Sequence, residues 1–139
     1  GSMIVGSKDF IERCRVIRKM LGGGMRQVGV LAAAGLVALE EGPKLLPVDH
    51  ENAQVLAQGL AEIPGIQIDP KTVQTNIVIF DVGRARLGAP QFVEKLNQRK
   101  VLTGAVDTAR VRVVTHRDVS RGDCEHAVRV IGEVVGVGY

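Results

Sequence analysis

Two groups of basic residues stand where they can hold an anion. In the first, Lys19 and Arg26 flank the run Gly22-Gly23-Gly24. Glycines let backbone amides converge in turns that side chains would obstruct. Converging amides with two cations beside them suit a phosphate or a carboxylate. The same residues also suit a plain helix–helix connector with solvated charges. The run lacks the Gly-Lys-Ser/Thr that completes a nucleotide-binding loop. In the second group, Arg110 and Arg112 interrupt the otherwise apolar stretch 109–114. A guanidinium on a sheet face grips a carboxylate through two parallel hydrogen bonds. The alternative is edge-strand charge that discourages aggregation.

Other chemistries are poorly supplied. His50, His116 and His126 lie far apart without metal-ligand spacing, so no metal site is expected. His116, at a strand end, is the one placed to line a cleft. Ser7, Ser120 and the cysteines have no His/Asp partnership of the kind a nucleophilic hydrolase needs. Cys14 and Cys124 each fall on an apolar helix stripe, where free cysteine behaves as a small hydrophobe. That usage fits a reducing, intracellular setting, and a cytoplasmic location is expected.

The elements that must position these residues follow from periodicity. Phe10, Cys14, Ile17 and Leu21 recur at helical spacing and predict an amphipathic helix over 8–21, with Arg15, Arg18 and Lys19 off its stripe. Residues 28–39 are apolar but too few for a bilayer, which needs about 20; they predict a buried helix. Its Gly29, Ala32, Ala33, Ala34 and Gly35 let another helix approach closely, either inside the protein or across a subunit interface. Gly42-Pro43 predicts a break, and Pro47 the first turn of a second long helix. Val48, Val55, Leu56, Leu60 and Ile63 form its stripe, and Pro64-Gly65 ends it.

Composition then shifts towards strand formers. Residues 75–82 predict a strand buried on both faces, and 90–99 a short helix. Residues 101–106 and 109–115 predict two strands joined by a tight turn at Asp107-Thr108. Alternation puts Arg110, Arg112 and Val114 on one face, and Val111, Val113 and Thr115 on the other. Ser120-Arg121-Gly122-Asp123 matches a capping box, and Cys124, Val128, Ile131 and Val135 continue the stripe of a last helix. The expected fold class is α/β, α+β within this segment. Residues 1–65 form a helical segment with a glycine-rich turn, and 66–139 a small β-α-β-β-α domain.

Composition also bounds the partners. The 139 residues, 45% hydrophobic and 24% charged, suit an ordinary globular domain. No signal peptide is visible, and no membrane partner is expected. The net charge of +3 is mild. Within 1–27, however, Lys8, Arg13, Arg15, Arg18, Lys19 and Arg26 face only Asp9 and Glu12. This is a phosphate- or nucleic-acid-facing patch, or a solvated helix face. Aromatics make up only 3%, and Phe80 alone falls in an expected strand, so the stacking platforms of RNA recognition are lacking.

Read in order, several stretches closely resemble the low-specificity L-threonine aldolases. They are Gly6-Ser7-Lys8-Asp9-Phe10-Ile11, Arg18-Lys19-Met20-Leu21-Gly22-Gly23-Gly24-Met25-Arg26-Gln27 and Val30-Leu31-Ala32-Ala33-Ala34-Gly35. Asp49-His50-Glu51-Asn52-Ala53, Thr75-Asn76 and Val111-Arg112-Val113-Val114-Thr115-His116-Arg117-Asp118-Val119-Ser120 fit the same family. The match runs over nearly the whole chain. The resemblance implies the carboxy-terminal portion of a pyridoxal-phosphate enzyme of aspartate-aminotransferase-like, fold-type I architecture. Such enzymes cleave L-threonine or allo-threonine to glycine and acetaldehyde by a retro-aldol step. The resemblance also implies that Arg112 binds the substrate's α-carboxylate. Lys19 and Arg26 would lie near the cofactor phosphate and reach a neighbouring subunit's site.

The same resemblance marks a departure. The family holds its cofactor as a Schiff base on a lysine in a Ser-Lys-Gly-Leu-like motif, expected upstream of this chain's start. A large amino-terminal domain and the histidine stacked on the cofactor are expected there too. Lys8 and Lys19 occupy other family positions. No catalytic residue is therefore expected in this chain, which alone should be inactive and hold no covalent pyridoxal phosphate. Threonine or glycine is the implied substrate of the parent, nucleic acid is not an expected partner, and homo-oligomerisation through residues 20–41 is. The alternative is a small standalone α/β module that binds an amino acid or RNA.

Overall fold

The computed structural model describes residues 3–83 and 87–136. They separate into two compact units, Gly1–Pro43 and Lys44–Tyr139. The first begins with helix α1, Lys8–Met20, capped by Ser7, whose hydroxyl accepts the Phe10 amide. The helix ends in a left-handed stop. The Gly23 amide donates to the Arg18 carbonyl at 2.8 Å, the Gly22 amide donates to Lys19 at 3.2 Å, and Gly22 takes φ +83°. A Cβ on Gly23 would stand 2.8 Å from Arg18 Cγ, and one on Gly24 would collide with Lys19 Cδ. The glycine run is thus a helix stop over which two basic side chains fold back.

Helix α2 runs unbroken from Gly29 to Ala61, through Gly42, Pro43 and Pro47. The expected break at Gly42-Pro43 is therefore corrected. Each proline removes one donor, from the carbonyls of Leu39 and Pro43 four residues back. Both prolines are exposed, so water can satisfy those carbonyls. The expectation that the helix over 28–39 is buried inside the chain is corrected as well. Val30, Leu31, Leu36, Val37 and Leu39 are exposed in the first unit, whose other elements do not cover them.

In the second unit the last turns of α2 bury Asp49, Asn52, Ala53, Leu56, Ala57 and Leu60. Val48, expected on that stripe, is exposed. After a short 3-10 turn, Pro70–Thr72, come β1 (Ile77–Asp81), α3 (Ala89–Gln98), β2 (Gly104–Ala105), β3 (Arg110–Val114) and α4 (Arg121–Val135). The strands form an antiparallel sheet in the order β1-β3-β2. Val78 and Phe80 of β1 and Val111 and Val113 of β3 are buried, in one core with Leu56, Leu60, Phe92, Leu96, Cys124 and Ile131 of the helices. Phe80 and Phe92 meet edge to face, with ring centroids 6.4 Å apart.

The opposite sheet face is open. Ile77 is 45% exposed and Ile79 43%, so β1 is buried on one face rather than the expected two. Strand β2 is also shorter than the sequence suggests. The amides of Val101 and Thr103 turn back to Leu96 O and Asn97 Oδ1 at the end of α3, which leaves only two residues to pair with β3. The capping box of α4 forms as expected, with Ser120 and Asp123 bonded reciprocally. Helix α3 ends in the same kind of left-handed stop as α1. The Val101 amide donates to the Leu96 carbonyl at 3.0 Å, with Lys100 at φ +67°.

Candidate functional site

The open sheet face carries the candidate site. Alternation along β3 sends Arg110 and Arg112 outward, while Val111 and Val113 fill the core. The two arginines then part company. Arg110 Nε lies 2.7 Å from Asp107 Oδ2 in the hairpin that leads into β3. Asp107 also accepts the amides of Ala109 and Arg110 at 2.9 and 2.8 Å. The Ala109 amide, then the Arg110 guanidinium and the Arg110 amide, hold its carboxyl below the usual 3.8. Arg110 is neutralised locally. Arg112 has no carboxylate partner among the described residues.

The surroundings of Arg112 suit carboxylate recognition. It stands opposite Ile79 on β1 and Gly104 on β2. A Cβ on Gly104 would meet nothing within 4 Å, so one flank of the guanidinium is bare. Ile77, Ile79 and Val114 supply aliphatic surface on the same face. A ligand pressed against that surface excludes water and strengthens the ion pair.

A hydrogen-bonded knot fixes the register that aims Arg112 outward. Thr115 is fully buried, and its hydroxyl donates to the Asp49 carbonyl at 2.6 Å. Its amide donates to Asn76 O at 2.9 Å, and its carbonyl accepts from Asn76 Nδ2 at 2.8 Å. Asn52 Nδ2 donates to the Val119 carbonyl at 3.0 Å. Helix α2 thereby ties both the start of β1 and the loop after β3. A one-residue slip would turn Arg112 into the core. Sequence reasoning from chemistry missed this knot. Its signal was polar Asp49 and Asn52 at helical spacing with Ala53, Leu56 and Leu60.

Lys19 and Arg26 belong to the first unit and Arg112 to the second, so no one unit brings the three together. Lys19 lies in the last turn of α1, a place where the helix dipole favours cations, with its stem over Gly24. Arg26 precedes the N-terminus of α2. The Val28 carbonyl accepts the amides of Leu31 and Ala32, and the first amides of the helix are left to point outward. Neither cation has an ion pair among the described residues. Two free cations and an amide-rich helix start are a donor set that fits a phosphate.

The remaining candidates do not join either group. His116 turns to Asp118, accepting its amide at 3.3 Å and lying 3.6 Å from its carboxylate. Among the described residues no three His, Cys, Asp or Glu gather for a metal, and no helix is long and apolar enough to cross a membrane. Both cysteines are free, and burial pushes the Cys124 thiol above its usual value.

One acid-stability prediction arises here. Asp107 is lowered by its hairpin bonds, and Asp123 by the Ser120 side chain and amide. Groups depressed in the folded state stabilise it above their unfolded value and lose that effect as pH falls through the folded one. The urea midpoint of the chain is therefore expected to drop as pH falls below 3.8. In Asp107→Asn the drop should be smaller.

Comparison with known proteins places the chain as a whole. A family model described as beta-eliminating lyase matches residues 1–83. Low-specificity L-threonine aldolase 1 of Arabidopsis thaliana is 40% identical over 129 residues, covering 92% of this chain and 36% of that protein. A probable low-specificity L-threonine aldolase 2 of the same plant is 44% identical over an equal length. The low specificity L-threonine aldolase of Escherichia coli (strain K12) is 43% identical over 121 residues, covering 87% of this chain and 34% of that protein. The chain thus spans about a third of the length of the curated relatives it matches.

Proposed function

The chain belongs to the beta-eliminating lyase family, and from that premise we propose that it forms the carboxy-terminal portion of a pyridoxal-phosphate-dependent L-threonine aldolase. The relatives named for that activity support the substrate. The observation that carries the reading is Arg112. It is the arginine of β3 left without a carboxylate among the described residues, on an open aliphatic face, beside a glycine that leaves room for a ligand.

Each group of residues then has a defined task. Arg112 holds the α-carboxylate of threonine through a two-pronged ion pair and so fixes the direction of the bonds at Cα. Lys19 and Arg26 neutralise the cofactor phosphate. Bound pyridoxal phosphate supplies the electron sink for cleavage of the Cα–Cβ bond. The same proposal holds that no lysine of these 139 residues carries the cofactor as a Schiff base and that they alone do not turn over threonine. Incubation with pyridoxal phosphate, then borohydride and peptide mass analysis, tests this. A diffuse, sub-stoichiometric label and no acetaldehyde from L-threonine are expected. One fully labelled lysine together with turnover overturns the reading.

Homo-oligomerisation through residues 20–41 belongs to the same proposal. The exposed Val30, Leu31, Leu36, Val37 and Leu39 support it, since contiguous apolar surface of this kind drives association. Sedimentation should show a dimer or larger species, converted towards monomer by Leu36→Glu. A wild-type monomer at high concentration argues against it.

A further inference from the structure

We propose that the second unit holds a binding site for a small aliphatic α-amino acid, in a cleft of about 320 Å³ formed by the turn after α3, the end of β3 and the first turns of α4. Arg112 is not among its lining residues. The site needs neither the cofactor nor the proposed aldolase reaction.

Two features that weaken the fold meet in this cleft. Four described residues take a left-handed backbone; three are glycines, Gly22, Gly65 and Gly136, and the fourth is Lys100. The helix stop after α1 uses glycine at the position where the stop after α3 places this lysine. A side chain there is strained, and glycine would relieve it. The second feature is the Thr103 hydroxyl, which is buried and has no hydrogen-bond partner. Buried polar atoms are nearly always paired. Both Lys100 and Thr103 line the cleft. Local costs of this kind concentrate where a protein binds or reacts.

The lining names the ligand class. Its floor is Leu56, Val113, Cys124 and Ala127, aliphatic and small, without an aromatic ring for stacking. The exposed part of the lining carries both signs of charge: Lys100, Asp118 and Asp123, with His126. Asp123 is committed to Ser120. Asp118 is 77% exposed, 3.6 Å from the His116 ring. Lys100 has no carboxylate partner among the described residues. A zwitterion satisfies both signs. Its carboxylate faces Lys100 and takes a hydrogen bond from Thr103 once that side chain turns its buried hydroxyl into the cleft, its ammonium faces Asp118, and its aliphatic chain fills the floor. The volume sits at the small end of ligand clefts, which suits a ligand of leucine size.

Amide NMR of the 139-residue chain titrated with L-leucine is the test, with 4-methylpentanoate and 3-methylbutylamine as single-charge controls. Saturable shifts are expected at Thr103, Val113, Cys124 and Ala127, with each control at least tenfold weaker. Lys100→Gly should melt at a higher temperature than the wild type yet bind leucine at least tenfold more weakly. Thr103→Val should keep or raise the melting temperature and also bind more weakly. That opposition of stability and affinity is not what a purely structural role gives. Absence of saturable shifts, equal binding of a control, or wild-type affinity in both variants overturns the proposal. Loss of threonine cleavage by Arg112 variants bears on the aldolase reading alone.

Discussion

Arg112→Ala is expected to lower kcat/KM for L-threonine about 100-fold, measured in a chimera in which this chain replaces the aligned third of the Escherichia coli relative. A charge-assisted two-pronged pair is worth up to about 3 kcal/mol, and each 1.36 kcal/mol or so is tenfold in rate. Most of the loss should appear in KM, because the carboxylate is held both before and during cleavage. Arg112→Lys should recover only part of it, since an ammonium keeps the charge and loses the fork. Arg110→Ala is the control. Its guanidinium is already paired with Asp107, so a change of less than about threefold is expected, in keeping with the small worth of exposed ion pairs. Equal effects at the two positions would remove the basis for choosing Arg112.

The second large effect lies in the core. Phe80 is 1% exposed and Phe92 fully buried, and their rings meet at 77°. Phe80→Ala should destabilise the second unit by about 3–5 kcal/mol, through lost burial and the cavity left beside Phe92. That is a large share of the roughly 5–15 kcal/mol that holds a typical domain. Ile79, its neighbour in β1, faces outward and is 43% exposed. Ile79→Ala should therefore cost no more than about 1 kcal/mol, as a half-exposed side chain loses little burial. Urea denaturation of the two variants separates them. A shift for Phe80→Ala no larger than that for Ile79→Ala would contradict the packing described.

Local signals in the sequence were sufficient where the physics is local. The two-residue alternation of β3 placed Arg112 and Val111 on opposite faces, and Ser120 and Asp123 announced the start of α4. Expectations failed where an outcome depends on what surrounds an element. Gly42-Pro43 looked like a break, yet an exposed proline costs a helix one bond that water can replace. Residues 77–80 are apolar throughout, and composition alone could not show that one side of the strand lies open. Arg110 and Arg112 were indistinguishable by spacing. Asp107, three residues before Arg110, was the clue that separates them. The cleft at Lys100 and Thr103 was illegible because its walls come from segments far apart in sequence, and the left-handed backbone of a lysine leaves no trace in composition.

The identity of the products from L-threonine tests the central claim most directly, since the family's description speaks of β-elimination and the named relatives of aldol cleavage. The folded chimera, loaded with pyridoxal phosphate, is predicted to release glycine and acetaldehyde in equal amounts, with the initial rate at L-threonine well below KM falling about 100-fold in Arg112→Ala. Release of 2-oxobutanoate and ammonia instead, or a folded and loaded chimera without turnover, would contradict the assignment.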